Sequence, residues 1–156
     1  MKPMLAILTL ILTITPAFAR IGETPAECIA RYGEPVEIDK EKSQLIFMKG
    51  TMAIIAGFFD GKCDKLVMRK VEQDIIGTPE EISDNEIDLL KEANGGEKPW
   101  REKPLISMTK LWETEDGAIL AQYEPLNRLL VIFTRECNER QKAAKKAEEQ
   151  KKLDGF

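Results

Sequence analysis

The middle of the chain alternates between apolar runs and short polar breaks. Three apolar runs cover residues 45–48, 52–59 and 66–68, and Lys49-Gly50 and Asp60-Gly61 separate them. Asp-Gly between two apolar runs is a strong hairpin signal, because the mirror-image turn needs positive φ, which glycine adopts without a steric penalty. The pattern therefore predicts three consecutive antiparallel strands.

The middle run is apolar on both of its faces. One face carries Met52, Ile54, Ala56 and Phe58, and the other carries Ala53, Ile55 and Phe59. A strand with two apolar faces usually lies inside a sheet and is covered on both sides. We therefore expect packing on both faces of this strand.

Two segments carry a capping box, in which Ser or Thr precedes a helix and Glu follows three residues later. The first is Thr24-Pro25-Ala26-Glu27, with Pro at the first helical position and a stop at Gly33. The second is Ser83-Asp84-Asn85-Glu86, which begins a helix that ends at Asn94-Gly95-Gly96. The first helix is so short that packing on a sheet must stabilise it.

Three further strand candidates follow the second helix, at residues 109–113, 119–123 and 129–133, with a turn at Asp116-Gly117. Each half of the chain is therefore a helix followed by three strands, and residues 36–39 add a short edge strand to the first half. We predict an α+β fold in which two αβββ units, residues 20–77 and 78–134, form antiparallel sheet with both helices packed on it. Residues 95–107 are interpreted as a long connection.

The composition changes at Arg135. Residues 135–156 contain many Lys and Glu residues and almost no large apolar residue until Leu153 and Phe156. Glu136 with Arg140, and Glu148 with Lys152, have the spacing of ion pairs on a helix surface. This pattern predicts a charged helical tail that grows out of the last strand.

The first 19 residues have the pattern of a signal peptide. A basic start at Lys2 precedes an apolar run over 4–14, and Ala17-Phe18-Ala19 is a small-x-small cleavage site. The run is too short to span a bilayer, and the rest of the chain offers no transmembrane segment. We expect an exported protein, periplasmic or secreted, that is cleaved after Ala19.

Three cysteines remain after cleavage, Cys28, Cys63 and Cys137. Disulfides persist in exported proteins, but an odd count leaves one thiol unpaired, and the sequence permits three different pairings. The alternative is that all three are small apolar core residues.

Charge and composition exclude several classes of function. The net charge of −4, near −5 without Lys2, argues against a nucleic-acid partner. The chain contains no His, which excludes Ser-His-Asp and Cys-His catalysis and His-bearing zinc sites. No P-loop or dinucleotide motif occurs, so we predict no catalytic, cofactor-binding or metal residues. An acidic stretch over 84–88 lacks the glycine and spacing of a calcium loop.

The first unit resembles a known domain family. The matching residues are Ile21 to Cys28 with its "G-x-T" helix start, Tyr32-Gly33-Glu34-Pro35 with its "G-x-P" exit, and Phe58 to Lys62 with an "F-x-D-G" hairpin. These are similar to the small periplasmic domain of the SmpA/OmlA outer-membrane-assembly lipoproteins and to the repeat of β-lactamase-inhibitor proteins. The resemblance implies an exported helix-on-sheet module without catalysis. No lipidation Cys follows the signal, and the second unit lacks both the "G-x-T" and the "G-x-P" motif.

Two functions are compatible with these patterns. The favoured one is a non-enzymatic exported module that binds a protein or another cell-envelope component. The alternative is a small carboxylate-dependent hydrolase acting on glycan or peptidoglycan, which rests on the supply of Asp and Glu. Trp100, in the Pro-flanked connection, is the candidate contact residue, while Trp112 and Tyr123 are expected in the core.

The cleavage site makes a direct prediction. N-terminal sequencing of the exported protein should begin at Arg20-Ile21-Gly22, because Ala17 and Ala19 supply the small side chains that signal peptidase accepts. Recovery of the intact Met1 start from the soluble envelope fraction would contradict this prediction.

Overall fold

The computed structural model describes residues 20–71 and 77–153. The predicted signal peptide, residues 1–19, and the end of the predicted tail, residues 154–156, lie outside these described residues. The described elements follow the order α1 (Pro25–Tyr32), β1 (Glu37–Asp39), β2 (Gln44–Lys49), β3 (Met52–Phe59), β4 (Lys62–Lys70), α2 (Asp84–Gly95), β5 (Trp100–Ile106), β6 (Thr109–Thr114), β7 (Ile119–Glu124), β8 (Leu129–Thr134) and α3 (Arg135–Leu153). No helix in the described part is long and apolar enough to cross a membrane.

Both predicted capping boxes are confirmed. The Thr24 hydroxyl accepts a hydrogen bond from the Glu27 backbone N–H at 3.3 Å, and the Glu27 carboxylate accepts one from the Thr24 N–H at 2.7 Å. Ser83 and Glu86 repeat the arrangement at 3.3 and 2.8 Å. These bonds satisfy backbone donors that the first turn of each helix leaves free.

The strands form one antiparallel sheet of eight strands in the order β1-β2-β3-β4-β8-β7-β6-β5. Each half contributes a meander, in which consecutive strands are neighbours, and β4 pairs with β8 to join the two meanders. At this seam Leu66 lies opposite Ile132 and Val67 opposite Val131. The predicted α+β fold, with antiparallel sheet, packed helices and a C-terminal helix, is confirmed.

Each unit contains four strands; the edge strand β1 of the first unit was predicted, whereas the second unit has one strand more than the predicted three. Residues 95–107 were expected to be a connection, but they include β5, which pairs with β6 at the edge of the sheet. Pro104 and the charged residues before it interrupt the alternation of apolar and polar residues by which a strand is recognised in a sequence. An edge strand tolerates both, because one row of its backbone groups faces solvent and proline needs no ladder hydrogen bond there.

The register places one buried row of side chains across the sheet. Leu45, Ala56, Leu66, Ile132, Ala121 and Trp112 are directly opposite one another in successive strands and are all buried. Cys28 and Tyr32 of α1, and Ile87 and Leu90 of α2, belong to the same core. Both helices therefore cover the same face of the sheet.

The segment before α1 connects the two units. The Ile21 N–H donates to the side-chain oxygen of Asn94 on α2 at 3.1 Å, and the Gly22 N–H donates to the Cys63 carbonyl at 2.7 Å. Asn94 is buried, and its amide also donates to the Leu90 carbonyl at 2.8 Å. The start of the first unit is thus anchored both to β4 and to the helix of the second unit.

The tail is a helix that continues directly from β8, as predicted. Its first turns are anchored, because Cys137 is buried and Arg140 forms an ion pair with Asp64. The Arg140 guanidinium also lies over the Phe59 ring, 3.7 Å from its centroid. From Gln141 to Leu153 every residue is exposed.

This division of α3 predicts the effect of shortening the chain. A chain ending at Gln141 should melt within a degree or two of the full-length mature protein, because residues 142–153 are all exposed. Thermal melting followed by circular dichroism measures the difference. A drop of several degrees, which corresponds to about 1 kcal/mol for a domain of this size, would place the tail in the core.

A chain ending at Thr134 is the matched control. It also loses the buried Cys137 and the partner of Asp64, so we expect its melting temperature to fall clearly below that of the Gln141 chain.

Candidate functional site

Over most of its width, the second face of the sheet is not covered by any of the described helices. Both faces of β3 were expected to be covered, but α1 and α2 lie on one side only, and that expectation is wrong for the part of the chain that the structure describes. We define the open face by seven partly exposed side chains on this side, namely Ile46, Ile55, Leu111, Leu120, Val67, Val131 and Phe133.

The open face follows from the same register that builds the core. Residues opposite one another in adjacent strands share a face, so the row next to the buried one lies on the outside. Taken from strand to strand across the sheet, this row is Ile46, Ile55, Val67, Val131, Gln122 and Leu111. It is aliphatic in β2, β3, β4, β8 and β6, and both units contribute to it. At the two edges of the sheet it continues into Glu37 of β1 and Lys103 of β5.

A cavity of about 260 Å³ lies on the open face within the second unit. Its walls include Pro104 of β5, Leu111 of β6, Leu120 of β7 and Phe133 of β8, and they are almost entirely apolar. The methylene stem of Lys103 contributes to the rim. A cavity of this size and character can take an apolar side chain from a partner.

The opposite end of the open face is partly covered by α3. A second concavity, of about 320 Å³, separates Arg140 and Ala144 of the helix from Gln44 and Lys65 of the sheet. The Arg140–Asp64 ion pair lies beside it. The open face is therefore a shallow apolar surface, with the apolar cavity at one end and α3 at the other.

Charged side chains at the rim near the apolar cavity neutralise one another. Lys103 Nζ lies 2.7 Å from Glu113, and Arg135 approaches the same carboxylate at 3.6 Å. The hydrogen bond from Lys103 lowers the pKa of Glu113, and Arg135 adds to the effect. Arg101 is paired with Glu115 nearby. These pairs leave no concentrated field of one sign at this rim, so apolar contact dominates what the surface offers.

The structure places Trp100 in strand β5, whereas the sequence interpretation placed it in a loop. Its indole N–H donates to the Lys91 carbonyl of α2 at 3.0 Å. Its ring lies against Gly95, where an added Cβ would be only 2.5 Å from the indole nitrogen. Trp100 thus closes one end of the core against α2, on the helix-bearing side.

One edge of Trp100 lines a surface cavity of about 350 Å³ together with Asp88, Glu92 and Lys98. Another cavity of about 350 Å³ lies beside the start of α1, between Pro25 and Ile38. Both are open and lie outside the open face. Trp100 and the open face do not form one site.

The other two aromatic residues lie in the core, as expected. Trp112 and Tyr123 are buried. The Lys91 ammonium lies over the Trp112 ring at 4.3 Å and pairs with Asp88 at 2.8 Å, so a buried lysine is stabilised by both contacts.

The three cysteines are buried as free thiols. Cys28 and Cys63 are neighbours between α1 and β4. Cys137 belongs to α3, and its sulfur accepts a hydrogen bond from the Gln141 side chain. Among the described residues no cluster of three or more His, Cys, Asp or Glu side chains has the arrangement of a metal site. Asp84, in the acidic stretch, begins α2 and pairs with Lys110 at 2.7 Å.

Comparison with known proteins adds little to this geometry. No family model matches the chain, and no curated protein matches it. A cysteine-rich secretory protein from Staphylococcus aureus subsp. aureus Mu50 is similar in structure, with a TM-score of 0.42 and 9% sequence identity. The match covers 75% of this chain and 45% of that protein, so the chain spans less than half of its length.

The position of Trp100 makes a testable prediction. Trp100→Phe keeps an aromatic ring but removes the N–H that donates to Lys91, which should cost about 1 kcal/mol and lower the melting temperature by several degrees. Glu102→Gln, an exposed change on the same strand, is the matched control and should leave the melting temperature unchanged. An unchanged Trp100→Phe melt would show that the indole hydrogen bond does not stabilise the fold.

Proposed function

We propose that this chain is an exported, non-enzymatic module that binds another protein of the cell envelope through the open face. The observation that carries the proposal is the one-sided coverage of the sheet. Aliphatic side chains from both units remain partly exposed on the side without α1 and α2. Exposed apolar surface of this extent on a soluble protein commonly marks an interaction site.

The dimensions of the open face suit a small protein interface. The six strands that carry it, at a spacing of about 4.8 Å, extend roughly 24 Å across the sheet. Strands of six residues are roughly 20 Å long, so the face offers roughly 480 Å², somewhat more than half of the ~800 Å² that each partner contributes to a standard interface. A partner that covers only the apolar cavity would use a small part of this surface.

The character of the face defines the partner further. Its centre is aliphatic and its described rim charges near the cavity are mutually paired, so the matching surface should have an apolar centre. Gln122 and Gln44 supply polar side chains beside the apolar row and favour a few specific hydrogen bonds. A folded surface with one projecting apolar side chain, which enters the cavity beside Leu111, fits these features.

The expectation of export supports the envelope as the compartment of the partner. The basic start, apolar run and Ala17-Phe18-Ala19 site are typical of a signal peptide. The lack of His and of common catalytic motifs supports a binding role rather than catalysis.

Site-specific photo-cross-linking tests this function. A photoreactive amino acid at Val131, at the centre of the open face, should capture a protein in cells, and one at Leu89 should not. Leu89 is the matched control because it is 50% exposed on α2, on the helix-bearing side. Equal capture at both positions, or none at either, would contradict the proposal.

A substitution gives the energetic test. Val131→Glu places a charge at the centre of an apolar interface and should reduce recovery of the cross-linked partner at least tenfold, since central residues often contribute more than 1.4 kcal/mol. Leu89→Glu should leave recovery unchanged. Circular dichroism of both variants should show that the sheet is retained, because Val131 is partly exposed.

A further inference from the structure

We propose that Cys28 and Cys63 are a redox pair that closes into a disulfide and fastens α1 to β4. Cys28 lies on α1 and Cys63 near the start of β4, and their exposed fractions are 0% and 1%. Both cysteines contact Glu23, the residue before the N-cap of α1. The proposal concerns the first unit alone and does not depend on what the open face binds.

Glu23 holds the two cysteines in place from the same side. Its backbone carbonyl accepts the Cys63 N–H at 2.7 Å, and its carboxylate lies 3.9 Å from the Cys28 sulfur. Arg31, on the same helix as Cys28, donates to that carboxylate at 2.9 Å. These contacts fix α1 against β4 with both cysteines beside Glu23, and the bridge requires the two sulfurs to approach to about 2.05 Å.

The two thiols differ in pKa because their surroundings differ. The Cys63 thiol donates to the Lys65 carbonyl at 3.7 Å, and the Cys28 thiol donates to the Glu23 carboxylate. Interaction between the two thiols lowers the pKa of Cys28 and, with burial, raises the pKa of Cys63. Cys28 is therefore the thiol that attacks first. Because α1 has only eight residues, local opening of this helix can expose Cys28 without unfolding the sheet.

Oxidised glutathione, a small disulfide, can supply the oxidant. The Cys28 thiolate attacks one of its sulfurs, forms a mixed disulfide and releases one glutathione thiolate, which takes up the proton lost by Cys28. Cys63 then loses its proton to solvent, and its thiolate attacks the Cys28 sulfur and expels the second glutathione. Two protein thiols are oxidised and one disulfide is reduced to two glutathione molecules.

Thiol counting tests the pair. The purified chain is incubated with oxidised glutathione, unfolded and treated with a maleimide. We expect one labelled cysteine, Cys137, and a peptide that joins Cys28 to Cys63 in mass mapping. Three labelled cysteines, separate glutathione adducts on Cys28 and Cys63, or a bridge that includes Cys137 would each overturn the proposal.

The bridged chain should also melt higher than the reduced chain, by roughly 5 to 10 °C, because a disulfide restricts the unfolded state. A bridge without any rise in melting temperature would contradict its role in fastening α1.

Cys137→Ala is the matched control. It should form the same bridge at the same rate and leave no cysteine for the maleimide, whereas Cys28→Ala should leave both remaining cysteines labelled. If Cys28→Ala does not fold, the wild-type and Cys137→Ala chains decide the question by themselves. Slower bridging in Cys137→Ala would show that Cys137 takes part in the exchange and would overturn the two-cysteine assignment.

Discussion

The pairing of β4 with β8 is the constraint on which the rest of the structure depends. Each unit by itself is a meander whose last strand would be an open edge with unpaired backbone groups. At the seam these two edges meet, and Leu66 lies opposite Ile132 with both side chains at 0% exposure. A shift of one residue in this register would turn one unit over relative to the other and separate the two halves of the core.

The same register determines which surface is left for function. With Leu66 and Ile132 directed to the helices, Val67 and Val131 must lie on the other face. Neither α1 nor α2 covers that face, because both pack on the side of the buried row. The apolar open face is thus a consequence of the core, and binding a protein is the use that we propose for it.

Local features were predictable because their causes are local. The caps at Thr24 and Ser83 and the turn at Asp60-Gly61, where both residues have positive φ, depend on neighbours within a few positions. Strand β5 was missed because Pro104 and its charged neighbours remove the alternation that identifies a strand. The expectation of two-sided coverage for β3 failed because the apolarity of a strand does not specify what covers it.

The sequence alone determined the helices, seven of the eight strands, the antiparallel class and a buried place for Trp112 and Tyr123. These features depend on periodicity, capping and turn chemistry, which act over short stretches of chain. The tertiary structure decided that both helices lie on one face, that Trp100 packs on α2, and that Cys28 rather than Cys137 adjoins Cys63. Those facts depend on how separate elements pack, helix on sheet within each unit and β4 against β8 between the units, and such packing leaves no local signal in the sequence.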